Sequence, residues 1–433
     1  MMRRRLSIIL ILLWLSAFLG GCWDRRELES LGLVQALGID RGPGGKGITV
    51  STMIAIPPKI SSGGGQSGGS GGGGGTDSGV FIISMDAPTI YEAFNRINTV
   101  VNREITLMQT SALFIGEDLA RSGLHKWVDT FVRYREMRRT ILVFICKGTA
   151  AQMMKVQPKL EKNPSEFFTD LSGLTSRTGM FPKTRLHDFM FSYEAYAQEE
   201  YAPILASYQP KEPVAPKPKP GGGGQSGGQG SSGGGQSGGG SPGSPGQGQG
   251  PSHIRIIGTA IFKKDKMIGT LDNYESQVML LLSGRFHEAM LSIADPKHKK
   301  ELIAFRLFAS GAPQIIYERR KNQDRLQVRL KLEADILSIQ SGVNYTDPSK
   351  ERYLSKYIAA ALKRRIEKVL DKVQHQYQSD VFGFGNRVRA SFLTSSEWER
   401  YNWPKHFPQA QIHTQVNLSI RRVGVQFAPP TLR

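Results

Sequence analysis

The sequence predicts an α+β, multidomain protein with mixed and antiparallel sheets and packed helices, ending in a C-terminal antiparallel sheet covered by one long helix. Three observations lead there. Leu326, Val328, Leu330 and Leu332 alternate with Gln327, Arg329, Lys331 and Glu333, as a strand with one wet face demands. Further on, Leu354, Ile358, Ala361, Leu362, Val369, Val373 and Tyr377 trace a single helical stripe behind Asp347-Pro348, a cap followed by proline at the first helical position. Nearer the start, short apolar runs such as Ile141-Leu142-Val143-Phe144-Ile145-Cys146 are separated by stretches of helical periodicity, which reads as a sheet with helices packed on it.

Taken in order, residues 33–39 read as a first strand and Arg41-Gly42-Pro43-Gly44-Gly45 as a turn. Ile48, Val50, Thr52, Ile54 and Ile56 alternate into a second strand, closed by Pro57-Pro58. A Gly-rich loop over 61–79 then separates it from a strand resuming at Val80. Loop closure grows only logarithmically with length, so such an insertion is thermodynamically cheap. Asp86 and Pro88 mark a helix start, with Ile90, Phe94, Ile97 and Val101 at helical spacing. A strand over 112–115 leads into one helix running from Glu117 towards Arg139, with Arg133, Arg135, Arg138 and Arg139 around its apolar side. Residues 156–206 read as mostly helical, carrying Phe167, Phe168, Leu171 and Leu174 as a stripe. Residues 254–262 and 267–271 form a hairpin around Lys263-Lys264-Asp265-Lys266. Strands over 302–308, 314–317 and 326–339, a helix over 348–377 of about 45 Å, and a closing strand over 412–423 complete the chain.

These readings divide the chain into four parts: residues 1–21 as a signal peptide, 22–155 as an N-terminal α+β domain, 156–290 as a middle domain, and 291–425 as a C-terminal α+β domain. A Pro/Gly-rich linker over 209–252 interrupts the middle domain; it begins with alternating Lys and Pro and lacks the strict Gly-X-Y order of collagen.

Arg3, Arg4 and Arg5 followed by a nearly continuous apolar run to Leu19 make a secretory signal, too short for the ~20 residues a bilayer span needs. Leu19-Gly20-Gly21-Cys22 ends it like a bacterial lipobox, with Cys22 supplying the sulfur for lipid attachment. An ordinary cleaved signal with a structural Cys22 ranks well below. Acylation of Cys22 would leave Cys146 without a disulfide partner, and the apolar run around Cys146 predicts a buried, inert thiol. Net charge is +19 at pH 7, and the three signal arginines account for three of it, leaving +16 on the mature part. Such a balance favours anionic partners; for an exported anchored protein that means lipid headgroups rather than nucleic acid, with solubility alone explaining it nearly as well.

Gly21-Cys22-Trp23-Asp24-Arg25-Arg26-Glu27 resembles the opening of the mature Ger(x)C family, the lipoprotein C subunits of spore germinant receptors. The resemblance continues through Thr89-Ile90-Tyr91-Glu92-Ala93-Phe94, through residues 113–120 and 132–138, and into Asp380-Val381-Phe382-Gly383-Phe384-Gly385 with Trp398, Trp403-Pro404 and Phe407. It implies a lipid-anchored place on the outer face of the spore inner membrane, beside integral-membrane A and B subunits that supply nutrient recognition and any ion conduction. No cofactor, metal or nucleic acid is implied.

The sequence carries no recognisable catalytic constellation. Gly65-Gln66-Ser67-Gly68-Gly69 fits a nucleophile elbow only in letters, since that motif needs a strand-turn-helix context. Gly383-Phe384-Gly385 starts like a dinucleotide loop but lacks the third glycine, so both glycines read as conformational. Asp24 and Glu27 beside the anchor read as partners for Arg or for a helix start, and the eight histidines are scattered. The expectation is a non-enzymatic scaffolding or coupling subunit. The alternatives are a lipid-anchored solute-binding protein that captures the germinant itself, and an anchored cell-wall hydrolase for which no constellation can be placed.

Overall fold

The computed structural model describes residues 30–56, 79–156, 164–208, 253–320 and 323–423. Strand β1 (Leu31–Arg41) turns through Pro43–Gly45 into antiparallel β2 (Ile48–Ala55), which pairs with β3 (Val80–Ala87). Ala55 faces Val80 and Ile56 N–H donates to the Gly79 carbonyl, so the two strands stay paired up to the ends of the glycine-rich insertion. Helix α1 (Ile90–Asn98) starts later than the sequence pattern expects. Its cap is Thr89, whose side chain accepts from Glu92 N–H, because β3 holds Asp86 and Ala87 extended against Thr49 and Ile48.

A short β4 (Glu104–Thr106), absent from the sequence reading, and β5 (Ala112–Gly116) both run parallel to β1. The single helix expected from Glu117 is instead two, α2 (Glu117–Ser122) and α3 (His125–Arg133), followed by a non-helical segment. Gly123 breaks them at φ +117°, a conformation that side chains resist, and a Cβ there would press on Asp265 at 2.6 Å. Strand β6 (Leu142–Cys146) lies parallel to β5, then come α4 (Ala150–Lys155), α5 (Pro164–Gly173), α6 (Thr175–Thr178) and α7 (Leu186–Ala195). Not all of 156–206 is helical: residues 201–208 form β7 (Tyr201–Tyr208), parallel to β6.

The hairpin is as read. Strand β8 (His253–Lys263) pairs with β7 across the glycine-rich insertion and with β9 (Lys266–Asp272) across the turn. The first sheet thus runs β3-β2-β1-β5-β6-β7-β8-β9, with β4 alongside β1. Its parallel centre is buried on both faces, which is why β5 and β6 are continuous apolar runs without alternation. Val143 and Ile145 face one core with Phe94, Leu119 and Phe189, whereas Phe144 and Cys146 face the other with Met153 and Phe168.

The second sheet follows α8 (Asn273–Ser283), which opens with a capping box between Asp272 and Glu275. Strands β10 (Glu288–Ala294), β11 (Leu302–Ala309), β12 (Gln314–Arg320) and β13 (Gln323–Ile339) are antiparallel. Helix α9 (Pro348–Asp371) covers them, capped by Asp347 and burying Leu354, Ile358, Leu362 and Ile366. A π-helical turn over Lys372–Tyr377 extends it, and α10 (Phe384–Arg389), α11 (Ser395–Tyr401) and α12 (Trp403–His406) lead to β14 (Gln411–Val423). The helical crossover reverses direction once more, so β14 joins the free edge of β13 in parallel. Among the described residues no helix is long and apolar enough to cross a membrane.

Candidate functional site

Past the π-helical turn the chain drops into the interior as Ser379-Asp380-Val381-Phe382-Gly383-Phe384-Gly385. Here the second sheet and its helices meet β7 and β8 of the first. Ser379 Oγ donates to the Phe262 carbonyl (2.6 Å), Glu199 N–H donates to the Asp380 carbonyl (3.0 Å), and Gln198 Nε2 reaches the Val381 carbonyl (3.5 Å).

Asp380, only 3% exposed, is the hub of this joint. Its carboxylate accepts from the backbone N–H groups of Gly383 (3.0 Å), Phe384 (3.2 Å) and Gly385 (2.7 Å), and from Trp403 Nε1 (2.8 Å). Three of those donors open α10, where unsatisfied N–H groups favour negative charge. Burial pushes the Asp380 carboxyl up to about 6, and the four donors act against that push. Gly383 is conformational, as the sequence predicts, with φ +76°. Gly385 has a different reason: a Cβ there would overlap the Ala197 carbonyl and the Trp403 indole. The signature residues therefore lock one sheet to the other.

A cleft of about 350 Å³ opens beside the joint, with Glu199, Glu200, Lys263 and Lys264 on one wall and Asp380 and Trp403 on the other. Glu199 accepts from Lys264 N–H at 2.7 Å, and Lys263 Nζ donates to Gln378 Oε1 at 3.0 Å. Glu200 is 2% exposed, and among the described residues neither carboxylate oxygen has a hydrogen-bond partner. Desolvation, reinforced by the neighbouring charge of Glu199, pushes its carboxyl up to about 9, so it is a neutral acid at pH 7. The sequence reading missed this pair, although two adjacent acids just before the apolar Ala202-Pro203-Ile204-Leu205 are themselves a signal of burial.

Cys146 is a free, buried thiol whose acidity is suppressed by desolvation. Cys22, Asp24, Glu27 and the Gly65–Gly69 stretch lie outside the described residues. Among the described residues no three His, Cys, Asp or Glu side chains are grouped to hold a metal ion.

Comparison with known proteins gives a consistent result. A family described as "Spore germination protein N-terminal domain" matches residues 24–207, and one described as "Spore germination B3/ GerAC like, C-terminal" matches residues 257–424. Among curated Bacillus subtilis (strain 168) proteins, the chain is 24% identical to the putative spore germination protein YfkR over 98% of its own length and 99% of that protein. It is 23% identical to the spore germination protein KC over 99% and 98% of the two chains. The crystal structure of the GerBC protein superposes with a TM-score of 0.51 at 14% identity, covering 92% of this chain and 100% of that one, and so shares the fold.

Proposed function

The chain belongs to the Ger(x)C family of spore germination proteins, and from that premise we propose that it is a non-enzymatic, lipid-anchored subunit of a nutrient germinant receptor. In this reading Cys22 holds it on the outer face of the spore inner membrane, where it scaffolds or couples the integral-membrane A and B subunits. The observation that carries it is the use made of Asp380, Gly383, Gly385 and Trp403. They join two sheets into one body, so the residues the family signature marks serve to hold the two sheets together. A diacylglyceryl group suffices as anchor, since two acyl chains hold stably where one does not.

Two measurements test this. Cys22→Ala should release the protein from the membrane fraction and impair germination; retention with normal germination sinks the anchor. Affinity capture of the tagged full chain from detergent-solubilised spore membrane should recover two multi-spanning subunits.

One observation favours a second reading, capture of the germinant itself: the cleft beside Glu200 combines a buried carboxyl that has no hydrogen-bond partner among the described residues with an opening to solvent. A nutrient that raises the melting temperature of the purified chain, with the shift lost in Glu200→Gln, would favour it. No shift with any nutrient leaves the coupling subunit.

A further inference from the structure

Strands β1, β5 and β6 are parallel and in register through Ala36, Ala112 and Leu142, so their N-terminal ends share one end of the first sheet. The segment between α3 and β6 and the segment before α7 converge on that end, because Leu142 bridges Arg185 and Leu186 N–H donates to the Ile141 carbonyl at 2.7 Å. Between them lies an open pocket of about 350 Å³ into which Arg138, Lys183 and Arg185 converge. Among the described residues no carboxylate lines it. All three basic residues are exposed. The acid of the arginine-rich segment, Glu136, is turned inward instead, accepting from Thr106 Oγ1 (2.8 Å) and Leu107 N–H (3.2 Å). Thr110 and Ser111 also line the pocket, but their hydroxyls donate to the Val34 and Gln35 carbonyls; Gln109, Thr140 and Thr169 complete the polar lining, and the three cationic side chains supply its charge. Asp188 is the nearby acid, and it accepts from the Arg185 backbone N–H at 3.4 Å.

This segregation is what the arginine run in the sequence builds: acid inward, bases outward, all at the end of the sheet where β1 begins. We propose that this end is a docking face for the phosphate headgroups of anionic phospholipid, with Arg138, Lys183 and Arg185 as its contacts. Its orientation rests on the lipid-anchor reading: Cys22 lies eight residues before Ser30, a span that reaches at most about 28 Å. The face and the anchor would then meet the same leaflet, and the face would fix how the rigid body stands on the membrane. The headgroup contact itself does not require the anchor.

The test uses the mature full chain carrying Cys22→Ala, so that no acyl chain contributes, and phosphatidylcholine vesicles with and without phosphatidylglycerol. Each cation near an anionic leaflet strengthens binding roughly fivefold, so Arg138→Gln/Lys183→Gln/Arg185→Gln should weaken binding to the phosphatidylglycerol vesicles on the order of 100-fold. Removing the same charge elsewhere, with Lys297→Gln/Lys299→Gln/Lys300→Gln in the loop between β10 and β11, should leave it within a few-fold. Added salt should weaken the parent's binding. An unchanged melting temperature verifies that the triple variants fold. Equal losses in the two triple variants, no preference for phosphatidylglycerol, or displacement by inorganic phosphate at matched phosphate concentration would each overturn the proposal. None of these outcomes touches Cys22, whose role fails separately if the protein from spores carries no lipid.

Discussion

Asp380 and Glu200 are both buried beside the same cleft at the joint and are treated oppositely by it. Asp380 receives four donors, three of them backbone groups at the start of α10. Replacing it with alanine strands those donors in the interior at about 1–3 kcal/mol each, so Asp380→Ala should lose at least about 3 kcal/mol in urea unfolding. A loss below about 1 kcal/mol would mean the joint is not held this way. Among the described residues no other residue donates to the Glu200 carboxyl, and desolvation raises it from 4.5 to about 9. The folded chain therefore keeps a proton that the unfolded chain releases above about pH 4.5. Stability should fall as pH rises from there towards 9, by up to roughly 1.4 kcal/mol per pH unit from this group. Asp380 adds a smaller loss of the same sign below about 6. Glu200→Gln keeps the shape without the proton, so its stability should vary less between about pH 6 and about pH 8. Parallel pH profiles for the variant and the parent would refute the buried neutral acid.

At the scale of elements, what was legible followed from periodicity and what was missed followed from distant contacts. Asp347-Pro348 and the stripe behind it placed α9 because cap and repeat agree over many turns. The alternation in β13 survives as alternating burial because one face meets α9 and the other stays wet. The break at Gly123 depends on Asp265, far along the chain, so local pattern favoured one helix over two. Strand β7 was hidden because Ala202-Pro203-Ile204-Leu205 acquires its extended form by pairing with β6 and β8, the latter beyond a long insertion. Of the joint, the glycines and Trp403 were visible as a motif, but Glu199 and Glu200 gain their meaning only when the two sheets close. The π-helical turn after α9 supplies an element-level prediction. Tyr377 OH donates to the Thr270 carbonyl at 2.9 Å, Lys372 Nζ pairs with Glu275 at 2.7 Å, and Gly269 leaves the space that the tyrosine ring fills. Gly269→Val should push the ring off β9 and lower stability by about 1–3 kcal/mol, the usual range for overpacking. Unchanged thermal melting would show that this contact does not fasten the long helix.

At the scale of the whole molecule, the two family domains do not have separate interiors. Ala197, just before β7, and Tyr201 and Ile261 of the first sheet belong to the same core as Leu326, Ile358, Phe384 and Trp403. The long insertion does not interrupt this continuity, since Tyr208 pairs directly with His253 across the 44 residues between them. If that tract is a spacer, its contribution to folding is loop-closure entropy alone. Replacing it with about eight residues should then stabilise the protein by roughly 1.5 kcal/mol, from the logarithm of the length ratio. A loss of stability on shortening would instead mean that the tract makes contacts the folded body needs. Germination of spores carrying the stabilised, shortened protein separates the remaining roles. Normal germination would leave the tract without a function in germination. Failure of a chain that folds better than its parent would show that length itself, through the reach it gives around a rigid two-sheet body, is what the insertion supplies.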